Sequence, residues 1–422
     1  MSENSYLFSS IAEQGDPMEY DLIIIGAGAA GLFAGARASA AGLRFCILES
    51  MNQSGLKLLT SGSGQCNITN AEDIRSYPER YGKAHKFVKP ALLEWSNQDL
   101  ITFVEKEGLP CEDRGDGKIF PVSRNSRDVR DLLQKLSQNG EGRIFWKDPV
   151  RSIEKKGVLF YVKTGSSQYS APKILLAAGG LSYPSTGSTG DSYILAERLG
   201  HSIVKPRPSL TPVFIKNFIL VESSGSAFPV SIDLYREGKK LHSFMGDLLI
   251  THKGFSGPVI LNNSRDMTPG DELRVSWLPD RDREDLDQDI LNRIQNSGKK
   301  SLPSGLGQNG ISESLMKGLL KKAGLSPEMK MNQLSKKNRI SYLKEIFSSS
   351  FIVDSLGGFN QAMVTAGGVS LKEINPRTME SKLCEGLFFA GEVMDVDGET
   401  GGYNLQFAFS SAALAVKTMT AE

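Results

Sequence analysis

The sequence predicts an α/β fold whose parallel sheet is assembled from both ends of the chain. An inserted antiparallel β-barrel interrupts that sheet, and a small helical domain interrupts the barrel. Three observations carry this expectation. An apolar run at residues 21–25 (DLIII) leads into Gly26-Ala27-Gly28-Ala29-Ala30-Gly31 and an alanine-rich stretch. A second pattern of strand, glycine cluster and helix closes the chain from residue 386 onward. Between them, short strand candidates recur at even spacing over residues 213–277, followed by helical patterns.

The bulk properties agree with this plan. A length of 422 residues suggests two or three domains. Hydrophobic residues at 40% and charged residues at 23% are ordinary for a globular chain. A net charge of +1 excludes a global electrostatic match to nucleic acid, so any basic face is local. Cys46, Cys66, Cys111 and Cys384 form no CxxC, and the four histidines lack metal-ligand spacing. Free thiols, a cytoplasmic setting and no bound metal are the expectation. Residues 1–18 read as a disordered leader, without the basic and apolar regions of a signal peptide. Residues 22–43 are the most apolar stretch. Their glycines and Arg37 suit strand, turn and helix better than a bilayer span, so no membrane partner is expected.

In chain order, residues 21–25 read as a buried parallel strand, 26–31 as a turn, 29–41 as a helix and 43–48 as the second strand. Residues 77–139 are mostly helical, with one apolar periodicity over 90–107. Residues 153–164 and 173–178 read as strands. Barrel strands are expected at 213–219, 230–235, 248–252 and 272–277, with strand-like residues returning at 351–353 and 362–364. The expected boundaries are 19–208 for the first part of the sheet domain and 209–280 for the first part of the barrel. The helical domain takes 281–348, the returning barrel 349–368 and the second part of the sheet domain 369–422.

The first glycine cluster is a GxGxxG in the context that gives it meaning, between a strand and a helix. Gly26 permits a tight turn, Gly28 lets the backbone approach a diphosphate, and Gly31 lets helix and strand pack closely. The N–H groups of Ala29 and Ala30 would then face the phosphates at a helix N-terminus. Glu49 ends the second strand, where a carboxylate accepts hydrogen bonds from ribose hydroxyls and disfavours a 2′-phosphate. This much identifies a Rossmann-like dinucleotide domain without choosing FAD or NAD.

The C-terminal pattern makes the choice. Residues 386–392 (GLFFAGE) are a strand running into Gly391 and Glu392, followed by Asp395 and by Gly401-Gly402-Tyr403-Asn404 opening a helix. In flavoproteins of this fold such an acid lies near the ribityl or diphosphate chain. The helix N-terminus stabilises charge on the reduced flavin. A plain βα unit completing a sheet would leave the paired glycines and Asn404 unexplained. Gly179, ending the strand at 173–178, and Gly62 in the loop KLLTSGSGQCNITN (57–70) are further candidate cofactor contacts.

Together these segments resemble the BaiN/YhiN-type family of bacterial FAD-dependent oxidoreductases. The resemblance rests on IIIGAGAAGL (23–32), KLLTSGSGQCNITN (57–70), GSTGDSY (187–193) and LLITHKGFSGPVILNNS (248–264). It continues through VTAGGVSLKEINPRTMESK (364–382) and GLFFAGEVMDVDGETGGYNLQFAFSS (386–411). Ser63 departs from the glycine the family often carries there. The resemblance implies a Rossmann-like FAD domain of the two-dinucleotide-binding-domain type, with the inserted barrel and helical domain. It implies FAD contacts at Ala30, Glu49, Lys57, Leu58, Ser61, Gly64, Asn67, Asp395, Asn404 and Leu405, with Val150 clamping adenine. Family members with assigned roles reduce conjugated C=C bonds, including a uracil ring in ribosomal RNA and a steroid enone.

That chemistry needs a hydride from reduced flavin and a proton from an acid. Cys66, within the glycine loop, is the candidate acid; the alternative is a thiol that only packs. Glu373, Glu380, His252 and Tyr403 read as supporting hydrogen-bonding groups. No second GxGxxG follows a strand and opens a helix, so no stable NAD(P)H domain is expected: NAD(P)H acts as a transient reductant, or another donor serves. For an RNA substrate, the window 317–344 is suggestive. It holds Lys317, Lys321, Lys322, Lys330, Lys336, Lys337, Arg339 and Lys344 against Glu328 alone, roughly +7. Three functions therefore compete: an rRNA uridine reductase, an oxidoreductase of a small-molecule enone or amine, and a non-catalytic flavin protein that docks to a partner.

Overall fold

The computed structural model describes residues 17–307 and 310–421, in two compact units. The first comprises residues up to 207 together with 364 onward; the second is 208–363. Most of the expected leader, residues 1–16, lies outside the described residues. Its last part does not: Met18–Glu19 pairs in parallel with the strand Gln168–Ala171.

The first unit is built on a five-stranded sheet. Strand β1 (Leu22–Ile25) is buried on every residue, as an interior parallel strand requires. Helix α1 (Ala29–Ala40) follows, then β2 (Phe45–Leu48). Gly35 lets α1 lie close to its neighbours: a Cβ there would fall 2.7 Å from Ser137 Cβ and 2.8 Å from Ile47 Cδ1. Helix α2 (Ser126–Ser137) starts at Asn125, whose side chain accepts from the Arg127 N–H, and packs on α1. Strands β3 (Arg143–Phe145) and β4 (Lys173–Leu176), helix α3 (Asp191–Arg198), strand β5 (Leu387–Phe389) and helix α4 (Tyr403–Met419) complete the frame. The order is β5-β4-β1-β2-β3, all parallel, with Ile174 registered against both Ile23 and Leu387. The C-terminal strand thus extends the sheet begun by the N-terminal one.

Local differences from the sequence reading have identifiable causes. The periodicity over 90–107 is two helices, His85–Glu94 and Asn97–Lys106. Ser96 caps the second with a reciprocal Ser96–Asp99 capping box, which fixes the break. The strand expected over 153–164 is a hairpin, Ser152–Lys156 and Leu159–Lys163, turning at Gly157 with φ +61°. A small sheet of Thr69–Asn70, Lys118–Pro121 and Cys111–Asp113 was not anticipated, its strands being too short to show a period.

The second unit contains a closed barrel of six strands. Its order is Val213–Ile215, Gly254–Ser256, Lys239–Ile250, Ala227–Arg236, Glu272–Ser276 and Ser349–Leu356, antiparallel throughout. Phe228, Val230, Ile232 and Leu234 alternate inward from one strand. Phe255, Trp277 and Phe351 meet edge to face in the interior. The helices Arg283–Ser297, Leu302–Leu306, Glu313–Lys322 and Lys336–Phe347 share this core through Ile290, Leu302, Leu319 and Tyr342.

The returning barrel segment, expected over 349–368, is shorter. Ser349–Leu356 closes the barrel, whereas Val364–Val369 pairs with Ile203–Ser209. Gly367 and Gly368, at φ +93° and +136°, carry that segment so close to the Lys205 and Val393 carbonyls that a Cβ would clash. The chain re-enters the first unit at Val364.

Candidate functional site

The glycine turn shows three different reasons for glycine. Gly26 has φ +99°, and a Cβ there would come 2.6 Å from Ala178 Cα at the end of β4. On Gly31 a Cβ would lie 1.8 Å from the Gly26 carbonyl oxygen. On Gly28 it would meet no heavy atom within 4 Å. Packing therefore demands glycine at 26 and 31 but not at 28. Helix α1 begins after Gly28 without a side-chain cap and without an acidic residue in its first turn. The N–H groups of Ala29 and Ala30 therefore stand at an uncapped, positive helix end.

Glu49 is 9% exposed and firmly held. Its Oε2 accepts the Ala27 N–H at 2.8 Å, and its Oε1 accepts the Met51 N–H at 2.8 Å and the Ser50 hydroxyl at 3.3 Å. The carboxylate is thereby fixed beside the glycine turn, with lone pairs left for sugar hydroxyls. The Lys147 and Asp148 N–H groups bond to the Met51 and Glu49 carbonyls, so the segment leading to half-buried Val150 runs alongside.

The C-terminal segment meets this turn directly. Gly391, at φ +73°, is so close to α1 that a Cβ would lie 3.1 Å from Ala30 Cβ. Its N–H donates to Ser411 Oγ at 3.0 Å. Glu392 and Lys57, each expected as a separate cofactor contact, form an ion pair with one another. Lys57 also donates to Ser182 Oγ, and Glu392 Oε1 accepts from the Ser182 hydroxyl at 2.7 Å and the Thr365 N–H at 2.8 Å. Thr365 Oγ1 in turn accepts the Leu181 and Ser182 N–H groups. Ser182 and Thr365 were not singled out from sequence, since no spacing links residues so far apart in the chain. Gly179, at φ +73°, lies next to Ser188 where β4 ends.

Asp395 accepts the Gly367 N–H at 2.9 Å. Burial pushes its carboxyl above the ordinary range, assisted by the charge of Asp397 and opposed by the Gly367 hydrogen bond and by Arg207 and Lys83. The Asn404 side chain clasps its own loop, bonding to the Gly398 N–H and to the Gly398 and Glu399 carbonyls. The Asn404 backbone N–H and that of half-buried Leu405 lie in the first turn of the helix Tyr403–Met419. Helix α4 starts after Gly402 (φ +102°) with no side-chain cap.

The loop 61–67 supplies the third wall. Gly62, Ser63, Gly64 and Cys66 all have positive φ, between 54° and 86°. Ser63 adopts at a cost what glycine adopts freely. Ser61 Oγ donates to the Leu58 carbonyl at 2.7 Å, and Leu58 is buried. The loop's far end is tied to α4: Asn70 Nδ2 donates to the Gly401 carbonyl at 3.2 Å, and Gly402 packs on Thr69. Asn67 Oδ1 is buried with no partner among the described residues. Cys66 is fully buried, and burial pushes its thiol up to about 12, so it stays protonated.

The supporting candidates serve the scaffold. Glu373 accepts the Ser202 N–H and lies 3.3 Å from His201 Nδ1; Glu380 accepts the Gly386 N–H; buried Tyr403 stacks edge-on against Tyr77; His252 is exposed in the second unit. The basic window is less free than its composition suggests. Lys317, Lys321, Lys322 and Arg339 pair with Glu313, Glu222, Glu345 and Asp287, and Arg339 is buried. Lys330, Lys336, Lys337 and Lys344 remain exposed. Among the described residues no helix is long and apolar enough to cross a membrane.

Two uncapped helix ends, an anchored carboxylate, a Cβ-free approach at Gly28 and an unpartnered Asn67 amide oxygen fit the phosphate, ribose and ring portions of FAD. They define the class, a Rossmann-type flavoprotein whose site is shared between the two ends of the chain. The chain belongs to the HI0933-like protein family, a family of flavoprotein oxidoreductases; the family's Rossmann-domain model matches residues 20–418. A ribosomal RNA dihydrouridine synthase of Haemophilus influenzae is 32% identical over 400 residues, 92% of this chain and 96% of that protein. A 3-dehydro-bile acid delta(4,6)-reductase of Clostridium scindens is 27% identical over 405 residues, 93% of this chain and 97% of that protein. The FrdA chain of E. coli quinol fumarate reductase superposes with TM-score 0.51 at 16% identity, covering 96% of this chain and 70% of that one. That last likeness concerns the fold alone.

Proposed function

We propose that the chain is an FAD-dependent reductase of a conjugated C=C bond, with a uracil ring in ribosomal RNA as its substrate. The observation that carries the cofactor is the packing of α1 against α4, with Gly391 between Ala30 and Ala408 near the two uncapped helix starts, Glu49 beside the first and Asn70 bonded to Gly401 at the second. Support for the substrate class comes from the relatives: the synthase and the bile acid reductase are both named for reactions at conjugated C=C bonds.

When bound, FAD supplies hydride chemistry. The chain's own residues would hold it. The Ala29 and Ala30 N–H groups would face the diphosphate, with Gly26, Gly28, Gly31 and Gly179 shaping the turn. Glu49 would take the ribose hydroxyls, and Val150 would lie against the adenine. Lys57, Leu58, Ser61, Gly62, Gly64 and Asn67 would line the ring side. Glu392 and Asp395 would flank the ribityl stretch, with Gly391 permitting the approach, and the Asn404 and Leu405 N–H groups would address the pyrimidine end. Reduction moves a hydride to one carbon and a proton to its neighbour. Cys66 is the proton donor read from sequence; its complete burial favours a packing role.

NAD(P)H serves as the transient reductant, and the reaction takes place in the cytoplasm. The exposed lysines Lys330, Lys336, Lys337 and Lys344 engage RNA phosphates. Stopped-flow reoxidation of the reduced enzyme by an rRNA fragment, with a steroid enone as comparison, tests the substrate. Mass analysis of rRNA from a deletion strain provides the second arm. Faster reoxidation by the enone, together with unchanged dihydrouridine in the deletion strain, overturns the RNA reading in favour of a small-molecule substrate.

A further inference from the structure

Tyr193 has no place in the site as derived so far. It is 6% exposed, and its hydroxyl has no hydrogen-bond partner among the described residues. A buried, unsatisfied hydroxyl is unfavourable, and its persistence needs a reason. Its surroundings offer one. Tyr193 lies in α3, which opens from the loop 187–190, and that loop runs along one side of the cradle. Gly187, at φ +95°, presses on Met51, and a Cβ there would lie 3.6 Å from Ser50 Oγ; both residues hydrogen-bond the Glu49 carboxylate. Ser192 Oγ donates to the Gly179 carbonyl at 3.4 Å, and Gly190 packs between Leu181 and the Tyr193 ring. The neighbouring Ser182 donates to Glu392. The loop and helix thus reach from the Glu49 end of the cradle to its Glu392 end. The charges of Glu392 and Asp395, after burial itself, push the phenol further up, so it remains a neutral donor.

We propose that the Tyr193 hydroxyl is a cofactor-binding group, donating a hydrogen bond to an oxygen of the ribityl–diphosphate chain of bound FAD. This rests on the FAD reading above. Glu392 is already paired with Lys57, and a neutral O–H adds a donor that leaves the charge balance of the site unchanged. Phenylalanine at 193 would keep the ring packing against Gly190 and remove only the donor.

The test is FAD titration of deflavinated wild type and Tyr193→Phe, followed by flavin fluorescence, with melting temperatures of both proteins with and without FAD. The expected result is a loss of FAD affinity of roughly 10-fold, the size of one hydrogen bond to a charged or polar acceptor. The FAD-free Tyr193→Phe protein should melt no lower than wild type, because the substitution removes an unsatisfied hydroxyl, and its FAD-induced rise should be smaller. If the ring merely packs, Tyr193→Phe shifts the melting temperatures with and without FAD alike and leaves the affinity unchanged; that result overturns the proposal while leaving the FAD reading intact. A wild-type protein that fails to bind FAD overturns both.

Discussion

Replacing Gly28 and Gly31 separately by alanine distinguishes ligand approach from packing within one motif. At Gly28 the backbone is at φ −77°, ψ −167°, an extended conformation open to any L-residue, and the new Cβ would meet nothing within 4 Å. The folded protein should accept Gly28→Ala, gaining about 0.4–1 kcal/mol from the stiffer unfolded chain. At Gly31 the Cβ would lie 1.8 Å from the Gly26 carbonyl oxygen. That is about 1.5 Å short of an ordinary carbon–oxygen separation, so either α1 or the turn must move. The turn is pinned, since Gly26 itself abuts Ala178 Cα and its N–H bonds the Leu48 carbonyl. Overpacking of this kind costs about 1–3 kcal/mol or more. Thermal unfolding of the FAD-free proteins should therefore rank Gly28→Ala at or above wild type and Gly31→Ala clearly below. FAD titration should show both weakened, Gly28→Ala by obstruction alone. Wild-type FAD affinity in Gly28→Ala would refute the assignment of the diphosphate to this turn. An unchanged melting temperature in Gly31→Ala would refute the packing argument.

Other substitutions follow from the same geometry. Lys57→Met or Glu392→Gln alone should each cost about 1–3 kcal/mol, between the limits for exposed and buried pairs. The double variant should cost less than their sum, and strict additivity in chemical denaturation would contradict the ion pair. Cys66→Ala should lose about 1–2 kcal/mol of stability and retain turnover per bound flavin; abolished turnover at full flavin content would restore Cys66 as proton donor. Asp395 has its pKa raised by burial, so the folded state holds that proton more tightly than the unfolded state does. The stabilising share is therefore present below the ordinary carboxylate value of about 3.9 and is lost as pH rises through the folded value. Asp395→Asn should accordingly melt higher than wild type near pH 7, with the difference shrinking on acidification; a constant offset across pH would count against this account. Charge reversal of Lys330, Lys336, Lys337 and Lys344 should weaken RNA binding and lower its salt slope by roughly one for each phosphate no longer engaged. Reversal of Lys321 and Lys322, already paired with Glu222 and Glu345, should do less; equal effects would sink the distinction.

Local chemistry was enough to read much of this molecule. The run Leu22–Ile25, the glycines that follow and Glu49 interact over short chain distances, and a buried strand, a tight turn and a helix leave marks in residue type and period. The barrel strand expected over 230–235 was legible for the same reason, and the fold extends it to Ala227–Arg236, with buried residues alternating along it. What local pattern does not encode is pairing across the chain. The Lys57–Glu392 pair and the Ser182 and Thr365 hydroxyls around it join segments far apart in the chain, and no local pattern marks the Tyr193 phenol as unpartnered. The same limit misplaced the strand at Val364–Val369, whose partner Ile203–Ser209 lies far away in the chain, beyond the whole barrel. The basic window is less free in the fold than its composition suggests: Lys321, Lys322 and Arg339 meet Glu222, Glu345 and Asp287, and Lys317 pairs with Glu313 one turn away on its own helix. The sequence by itself determined that two glycine-rich helix starts belong to one flavoprotein domain, since each motif carries its own backbone requirement. Only the tertiary structure decided which side chains remain available to a ligand, because a hydrogen bond already made within the fold is no longer free for another partner.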